Sequence, residues 1–240
     1  EAPAPAVAEL TVGMMLDLLR HVGSADRGLR TGKWNRFMGR RIADCTVGVI
    51  GVGRIGKRVI QHLAGGFPGV RLLAHDIVPD QGFGAAHGVT WVDPDTLCRE
   101  SDVVTLHVPL TPATRGMIGE RELLLMKRDA ILINAARGGI VDEEALVTSL
   151  TAAAAKDARG HGPAAAAIDT FMQEPYDGPL AGLENCLLTC HMGSMTRDCR
   201  SRMEVEATEE IVRMIRGEAL ISLVPQSEFL ADERQPTHAG

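Results

Sequence analysis

A strand that runs into a glycine-rich turn constrains the fold of this chain more than any other feature. The small and apolar residues Val47–Ile50 are typical of a buried strand, and Gly51-Val52-Gly53-Arg54-Ile55-Gly56 follows directly. In such a pattern the first glycine permits a tight turn, the second lets the backbone approach a pyrophosphate, and the third lets the next helix pack close to the sheet. A second strand, Val70–His75, ends in Asp76, twenty residues after the last glycine. A glycine-rich loop without a ligand would not require these flanking elements, so the pattern predicts a dinucleotide site at the start of the helix.

The acidic residue at the end of the second strand indicates the type of dinucleotide. Asp76 can accept hydrogen bonds from the ribose hydroxyls of NAD and would repel the additional phosphate of NADP. The residues that follow it, Ile77, Val78 and Pro79, include no arginine that would favour that phosphate. A strand-end carboxylate that contacts only solvent is the alternative interpretation. We expect NAD as the cofactor.

Strands and helices alternate along the rest of the chain. The apolar patterns predict strands over 103–107, 130–134, 165–168 and 187–190, with helices over 121–127 and 143–150. Such alternation implies a parallel sheet covered on both faces, so the predicted fold class is α/β, a Rossmann-type doubly wound parallel sheet. The predicted boundaries are 1–240 for a single NAD-binding domain, about 44–195 for its sheet core, 7–22 and 196–216 for two flanking helices, and 217–240 for a tail.

Each flanking helix carries an apolar stripe at helical spacing. The stripes consist of Leu10, Met14 and Leu18 in the first helix, and of Met203, Ala207, Ile211, Met214 and Ile215 in the second. We interpret both stripes as core or subunit contacts. Segment 151–167 is rich in alanine, and we predict a helix extension followed by a mobile surface loop without chemistry.

The composition argues against several other classes of function. A formal net charge of −6 and scattered basic residues argue against a nucleic-acid surface. No apolar run approaches the ~20 residues of a membrane span, so no membrane partner is expected. The five cysteines are an odd number in a chain that needs no disulfide staples, which predicts reduced thiols in a cytoplasm. Cys186, Cys190, His191 and Cys199 lie close together in sequence and suggest a metal site, but they include no CxxC pair, and no metal is expected.

Three candidate catalytic residues follow three successive strands. In a doubly wound sheet the ligand lies at the carboxyl ends of the strands, where Arg137, Glu174 and His191 all occur. An arginine there can bind a carboxylate and polarise a neighbouring carbonyl through paired hydrogen bonds. A histidine held by a glutamate is an acid–base group whose pKa the carboxylate raises, which suits proton transfer during oxidation of an alcohol by hydride transfer. Each residue alone would more often be structural, but their joint placement favours catalysis.

These motifs resemble those of the D-isomer-specific 2-hydroxyacid dehydrogenases. The matching stretches are Val47–Gly56, His107–Thr114, Ile133–Asp142, Asp169–Pro175 and His191–Ser194. The resemblance implies that Arg137 binds the substrate carboxylate and carbonyl, that His191 is the acid–base group, and that Glu174 pairs with it. It also implies that Asp169 holds the nicotinamide carboxamide. The residues expected to contact the cofactor are Gly51, Gly53, Arg54, Ile55, Gly56, Asp76, Val108, Pro109, Thr114, Ala135, Ala136, Arg137, Asp169, His191, Gly193 and Ser194.

The resemblance implies an NAD-dependent oxidoreductase that interconverts a D-2-hydroxy acid and its 2-oxo acid. A formate dehydrogenase of this family would carry glutamine in place of Glu174, so a small 2-hydroxy or 2-oxo acid is the expected substrate. The family's amino-terminal substrate-binding domain has no counterpart here. An NAD-binding module without turnover is therefore the alternative, either a sensor or interaction domain or the cofactor half of a truncated enzyme. The resemblance also implies a homodimer that pairs through the helix over 7–22 and its surroundings.

Overall fold

The structure, a computed structural model, describes residues 2–155, 162–221 and 223. The middle of the predicted 151–167 insertion and most of the predicted 217–240 tail lie outside these residues. None of the helices in the described part of the chain combines the length and apolarity that crossing a membrane requires.

One sheet of seven parallel strands forms the centre of the fold. Its strands are β1 (Thr46–Ile50), β2 (Arg71–His75), β3 (Val89–Trp91), β4 (Val103–Leu106), β5 (Ile131–Asn134), β6 (Ala165–Ile168) and β7 (Cys186–Leu188). They lie in the order β3-β2-β1-β4-β5-β6-β7, and β1 pairs in parallel with both β2 and β4. The strand order therefore reverses direction between β1 and β4, which confirms the predicted doubly wound α/β fold. At such a reversal the carboxyl ends of the two strands border the crevice in which these sheets bind ligands.

Eight α-helices and two short 3₁₀ helices precede, connect or follow the strands in the described ranges. The α-helices are α1 (Ala4–Arg20), α2 (Val22–Arg30), α3 (Arg54–Gly66), α4 (Gln81–His87), α5 (Pro94–Glu100), α6 (Glu120–Leu125), α7 (Glu143–Ala154) and α8 (Arg197–Arg216). The 3₁₀ helices cover Ile42–Asp44 and Pro179–Gly182. Several helices begin at polar caps: the side chains of Asp93, Asp142 and Thr196 accept N–H groups in the first turns of α5, α7 and α8.

Helices cover both faces of the sheet and bury its strands. Successive side chains of a strand point to opposite faces. On β5, Leu132 packs in one apolar cluster, together with residues of α5, α6 and α7, whereas Ile131 and Ile133 pack in another. That second cluster also contains Met14 of α1 and Val59 of α3. The two clusters form the core, and the loops at the carboxyl ends of the strands are left to build the site.

The predicted strands and helices of the sheet core match observed elements to within a few residues. The prediction did not include α4, β3 or α5. The helix predicted over 7–22 instead ends at Arg20, because His21 adopts the left-handed conformation with φ of 55°, and α2 begins at Val22. That residues 1–240 form a single domain stays a prediction.

The two predicted apolar stripes differ in burial. Met14 is buried in the core, and Leu10 and Leu18 pack beside it, so the first stripe covers this chain's own sheet. In the second stripe, Ile211 and Ile215 of α8 are exposed, so these residues are not core, and a subunit contact stays a prediction for them. The spacing on α8 therefore marks an apolar face that the described part of this chain does not cover.

Candidate active site

The turn after β1 brings three parts of the chain close together. Gly51 has a φ of 90°, and a Cβ built on it would lie 2.7 Å from the carbonyl of His107, which follows β4. A Cβ on Gly56 would lie 2.0 Å from the carbonyl oxygen of Gly51. Both positions therefore require glycine, the first for the left-handed turn and the second for the close packing of α3. A Cβ on Gly53 would meet nothing within 4 Å, so this residue borders open space.

The amino end of α3 lies at this open space. Gly53 is the residue that precedes the helix, and no side chain accepts a hydrogen bond at that position. Unpaired N–H groups and the positive end of the helix dipole favour binding of phosphates there. Arg54 is exposed at the first position of the helix, and Ile55 is half-buried beside it. These residues fit the pyrophosphate of a dinucleotide.

Asp76 follows β2 and contacts the glycine turn directly. Its Oδ2 accepts a hydrogen bond from the backbone N–H of Val52 at 2.7 Å, and its Oδ1 accepts one from the N–H of Val78 at 3.0 Å. The carboxylate therefore holds the turn in place as well as lying where the sequence predicts a ribose contact. Each oxygen retains a further lone pair, which a ribose hydroxyl can use.

The segment after β4 lies against the glycine turn. A Cβ built on Gly51 would be 2.8 Å from Cγ1 of Val108. The hydroxyl of Thr114 donates to the carbonyl of Pro109 at 2.6 Å and accepts the N–H of Thr111 at 2.8 Å. Thr114 therefore closes the loop that carries Pro109, a role that its place in the motif did not reveal.

The ring of His107 is held inside the fold. Its Nε2 lies 3.0 Å from the hydroxyl of Thr105, a fully buried residue of β4. Burial lowers the pKa of His107 to about 3. The ring is therefore neutral at physiological pH.

Asn134, the last residue of β5, is a site residue that sequence reasoning missed. Its Oδ1 accepts the N–H of Ala136 at 3.1 Å, and its Nδ2 donates to the carbonyl of Arg137 at 2.9 Å. The side chain of Asn134 thus stabilises the turn through the buried residues Ala135 and Ala136, and this turn positions Arg137. The sequence did contain a clue to this role, a polar side chain at the end of an apolar strand. Such a side chain is buried and therefore needs hydrogen-bond partners.

The loop that carries Arg137 touches the loop that carries Glu174. A Cβ built on Gly138 would lie 1.9 Å from the carbonyl oxygen of Phe171 and 2.6 Å from the backbone nitrogen of Met172. Only glycine allows this approach of two backbones.

Glu174 and His191 form a direct pair. Nδ1 of His191 lies 2.8 Å from Oε2 of Glu174, while Oε1 of the same carboxylate accepts the N–H of Phe171 at 3.0 Å. Burial alone would raise the pKa of Glu174, but the hydrogen bonds from His191 and Phe171 and the charges of His191 and Arg137 lower it below its ordinary value. Glu174 and His191 are therefore in direct contact, and the loop that carries Arg137 touches the loop that carries Glu174.

Asp169, at the end of β6, is fully buried and directs its carboxylate to the turn around His191. The hydroxyl of Thr189 donates to Oδ1 at 2.6 Å, and the N–H of Met192 donates to the same oxygen at 2.8 Å. The N–H of Gly193 donates to Oδ2 at 3.0 Å. Ser194 follows this turn and is half-buried.

The five cysteines differ in burial. All five lie in the described part of the chain, and each is a free thiol. Cys186 and Cys199 are buried, whereas Cys190 is exposed. Within the described ranges, no three His, Cys, Asp or Glu side chains are grouped in a way that could hold a metal ion.

Comparison with known proteins agrees with this geometry. Residues 12–193 match the family described as D-isomer specific 2-hydroxyacid dehydrogenase, NAD binding domain. The chain belongs to this family. The family description also confirms NAD, the cofactor predicted from the glycine turn and Asp76.

Two curated relatives are longer than this chain. It is 38% identical over 228 residues to D-3-phosphoglycerate dehydrogenase of Methanocaldococcus jannaschii, a match that covers 93% of this chain and 42% of that protein. It is 39% identical over 227 residues to glyoxylate reductase of Korarchaeum cryptofilum, with 91% of this chain and 65% of that protein covered. The chain therefore spans about half the length of these two relatives.

Solved structures share the fold. D-lactate dehydrogenase with NAD⁺ from Lactobacillus jensenii superimposes with a TM-score of 0.78 at 30% identity, covering 92% of this chain and 68% of that one. D-lactate dehydrogenase from Aquifex aeolicus, complexed with NAD and lactic acid, superimposes with a TM-score of 0.79 at 29% identity, covering 90% and 68%. The Rossmann-type architecture of this chain is thus that of NAD-bound family members.

Proposed function

We propose that this chain is an NAD-dependent oxidoreductase that interconverts a D-2-hydroxy acid and its 2-oxo acid by hydride transfer. The observation that carries the proposal is the grouping of Arg137 with the Glu174–His191 pair, beside a glycine turn that fits a dinucleotide. The names of the relatives, which act on phosphoglycerate, glyoxylate and lactate, agree with an acid of this class.

The roles of the three side chains follow from their hydrogen bonds. Because Nδ1 of His191 contacts Glu174, its Nε2 is the atom left to take the proton of the substrate hydroxyl, or to return it to the 2-oxo group. The carboxylate of Glu174 holds the ring through this hydrogen bond, on the side opposite to the reacting nitrogen. Arg137 binds the substrate carboxylate and polarises the carbonyl at C2. A dinucleotide held at the glycine turn would supply the hydride acceptor as NAD⁺, or the hydride donor as NADH.

The first experiment measures NADH oxidation with hydroxypyruvate, glyoxylate, pyruvate and phosphohydroxypyruvate. Turnover of any of them supports the proposal and identifies the substrate. His191→Gln should then lower kcat by about 10²–10⁴-fold with little change in NADH affinity, because an acid–base group acts on the proton transfer and not on cofactor binding. His62→Gln, a change on the exposed face of α3, is the control. Loss of NADH binding in His191→Gln would contradict the acid–base assignment.

A second candidate function is an NAD-binding module without turnover. The observation behind it is that Asp76 and the glycine turn, which fit a dinucleotide, hold each other in place without the Glu174–His191 pair. NADH binding measured by fluorescence titration, with no oxidation by any of the four acids, would support this candidate over the first.

We also propose that two copies of the chain associate. Apolar side chains are exposed in α2 and the segment that follows it: Trp34 is 79% exposed, Met38 is 95% exposed and Leu29 is 58% exposed. Exposed apolar surface of this kind is typical of a protein interface. Sedimentation velocity should show a dimer that Trp34→Ser weakens, whereas His62→Gln on the exposed face of α3 should leave it intact. A monomer at high concentration would contradict the proposal.

We further propose a cytoplasmic location, which the five free thiols support because a reducing compartment keeps thiols unpaired. Cell fractionation with an antibody against the chain tests it.

A further inference from the structure

The turn around His191 has a backbone conformation that needs support. His191 has a φ of 49°, in the left-handed region that residues with a Cβ rarely adopt. Such a conformation persists only where the surrounding contacts determine it. Its backbone N–H donates to the carbonyl of Asp169 at 2.8 Å, which ties the turn to the end of β6.

The side chain of Asp169 completes this support. Three donors converge on its carboxylate: the hydroxyl of Thr189, which lies two residues before His191, and the N–H groups of Met192 and Gly193, which follow it. Oδ1 takes two of these hydrogen bonds, which fills its lone pairs. The carboxylate therefore brackets His191 on both sides in sequence.

A second contact limits movement of the turn from another direction. A Cβ built on Gly193 would lie 3.0 Å from Cγ2 of Val7 in α1 and 3.3 Å from Oδ2 of Asp169. The turn is thus enclosed between α1 and β6. The backbone of the turn is held on both sides, and the exposed side chain of His191 extends from it to Glu174.

We propose that Thr189, acting through Asp169, is a positioning residue that holds the imidazole of His191 against Glu174. Thr189 belongs neither to the motif of the predicted site nor to the predicted catalytic residues. Its hydroxyl fixes the Asp169 carboxylate in the orientation from which it can accept the two amide donors. The effect on turnover rests on the function proposed above, whereas the effect on the turn itself does not.

The test compares Thr189→Val, which keeps the branched shape and removes the hydroxyl, with Thr189→Ser, which keeps the hydroxyl. Thr208→Val is the matched control, because the Thr208 hydroxyl donates only to the carbonyl of Glu204 within the exposed helix α8. Amide hydrogen exchange of Met192 and Gly193 reports on the turn. The NMR shift of the Phe171 amide, which donates to Glu174, reports on the titration of that carboxyl.

In Thr189→Val, the Met192 and Gly193 amides should exchange about tenfold faster, because a hydrogen bond to a charged group is worth at least that factor. The titration followed at Phe171 should move to higher pH, since the pKa of Glu174 rises toward its ordinary value when His191 withdraws. The kcat should fall about tenfold or more, and by a larger factor than the KM for NADH rises, because Asp169 and Gly193 are also expected cofactor contacts. Thr189→Ser should restore all three quantities, and Thr208→Val should alter none.

Unchanged amide exchange and an unchanged titration in Thr189→Val would overturn the proposal, whatever the activity. A loss of NADH affinity as large as the fall in kcat would also overturn it, because the whole effect would then lie on the cofactor and not on the placement of His191. If the wild-type chain turns over none of the acids, the proposed function fails, but exchange and titration still decide the role of Thr189.

Discussion

The contact between Gly138 and Phe171 makes the sharpest prediction about this site. The Gly138→Ala substitution places a Cβ 1.9 Å from the carbonyl oxygen of Phe171, and the backbones must separate by about 1.5 Å to reach the ordinary contact of 3.4 Å. Both partners are backbone atoms, so no side-chain rotation can relieve the overlap. The separation moves Arg137, the preceding residue, away from the loop that carries Glu174.

The expected loss of stability is moderate and the expected loss of turnover is large. Overpacking of this kind costs about 1–3 kcal/mol of unfolding free energy, and in a chain of this length each kcal/mol lowers Tm by roughly 2–4 °C. A misplacement of about 1 Å at a catalytic centre lowers turnover by roughly 10²-fold. Turnover should therefore fall far more than the fraction of folded protein.

Calorimetry and steady-state assays measure both quantities on the same samples. Gly65→Ala is the control, because a Cβ at this position in α3 meets nothing within 4 Å and alanine favours a helix. The reasoning is refuted if Gly138→Ala matches Gly65→Ala in Tm and keeps turnover within about threefold of the wild type.

Three further predictions concern pH, cofactor choice and the Asn134 turn. Burial lowers the pKa of His107 to about 3, so below about pH 6.5 the unfolded chain binds a proton at this residue that the folded chain does not bind. The free energy of unfolding therefore has its full value above pH 6.5 and falls by up to about 1.4 kcal/mol per pH unit toward pH 3. Urea denaturation across this range should show a shallower fall for His107→Asn, and an unchanged slope would contradict the assignment. Asp76→Ala should narrow the preference for NADH over NADPH in kcat/KM, and an equal preference before and after the change would argue against a ribose contact. Asn134→Asp places a carboxylate oxygen against the carbonyl of Arg137 and should lower turnover about tenfold or more, whereas wild-type turnover would show that the amide is dispensable.

The regular elements of this protein were readable in the sequence because each is specified by a local pattern. Buried parallel strands are short apolar runs, and β5 and β6 were predicted with at most one residue of difference in their bounds. The elements that were not predicted are too short, or too rich in glycine, to show a clear pattern of apolar residues. Helix α4 has seven residues with glycine at two of them, and β3 has three residues. Neither is long enough for periodicity to distinguish it from a loop.

In the candidate site, the functional side chains were predicted from the sequence, whereas the contacts that support them were not. The glycine turn, Arg137, Glu174 and His191 were predicted because their residue types and their places after strands express the chemistry directly. The contacts that hold them were not, because Thr189 and Asp169 are twenty residues apart and nothing local relates them. The same holds for Gly138, whose need for glycine comes from a distant backbone and not from its own turn.

The sequence by itself determined the fold class and the dinucleotide turn and predicted Arg137, Glu174 and His191 as catalytic residues, since each of these follows from short-range patterns of size, polarity and backbone freedom. Only the tertiary structure decided which apolar stripe is core, as with Met14 on α1, and which is exposed, as with Ile215 on α8. It also decided how Asp169 and Asn134 use their hydrogen bonds. Burial and partner choice depend on what another part of the chain brings into contact, and helical spacing alone carries no information about that neighbour.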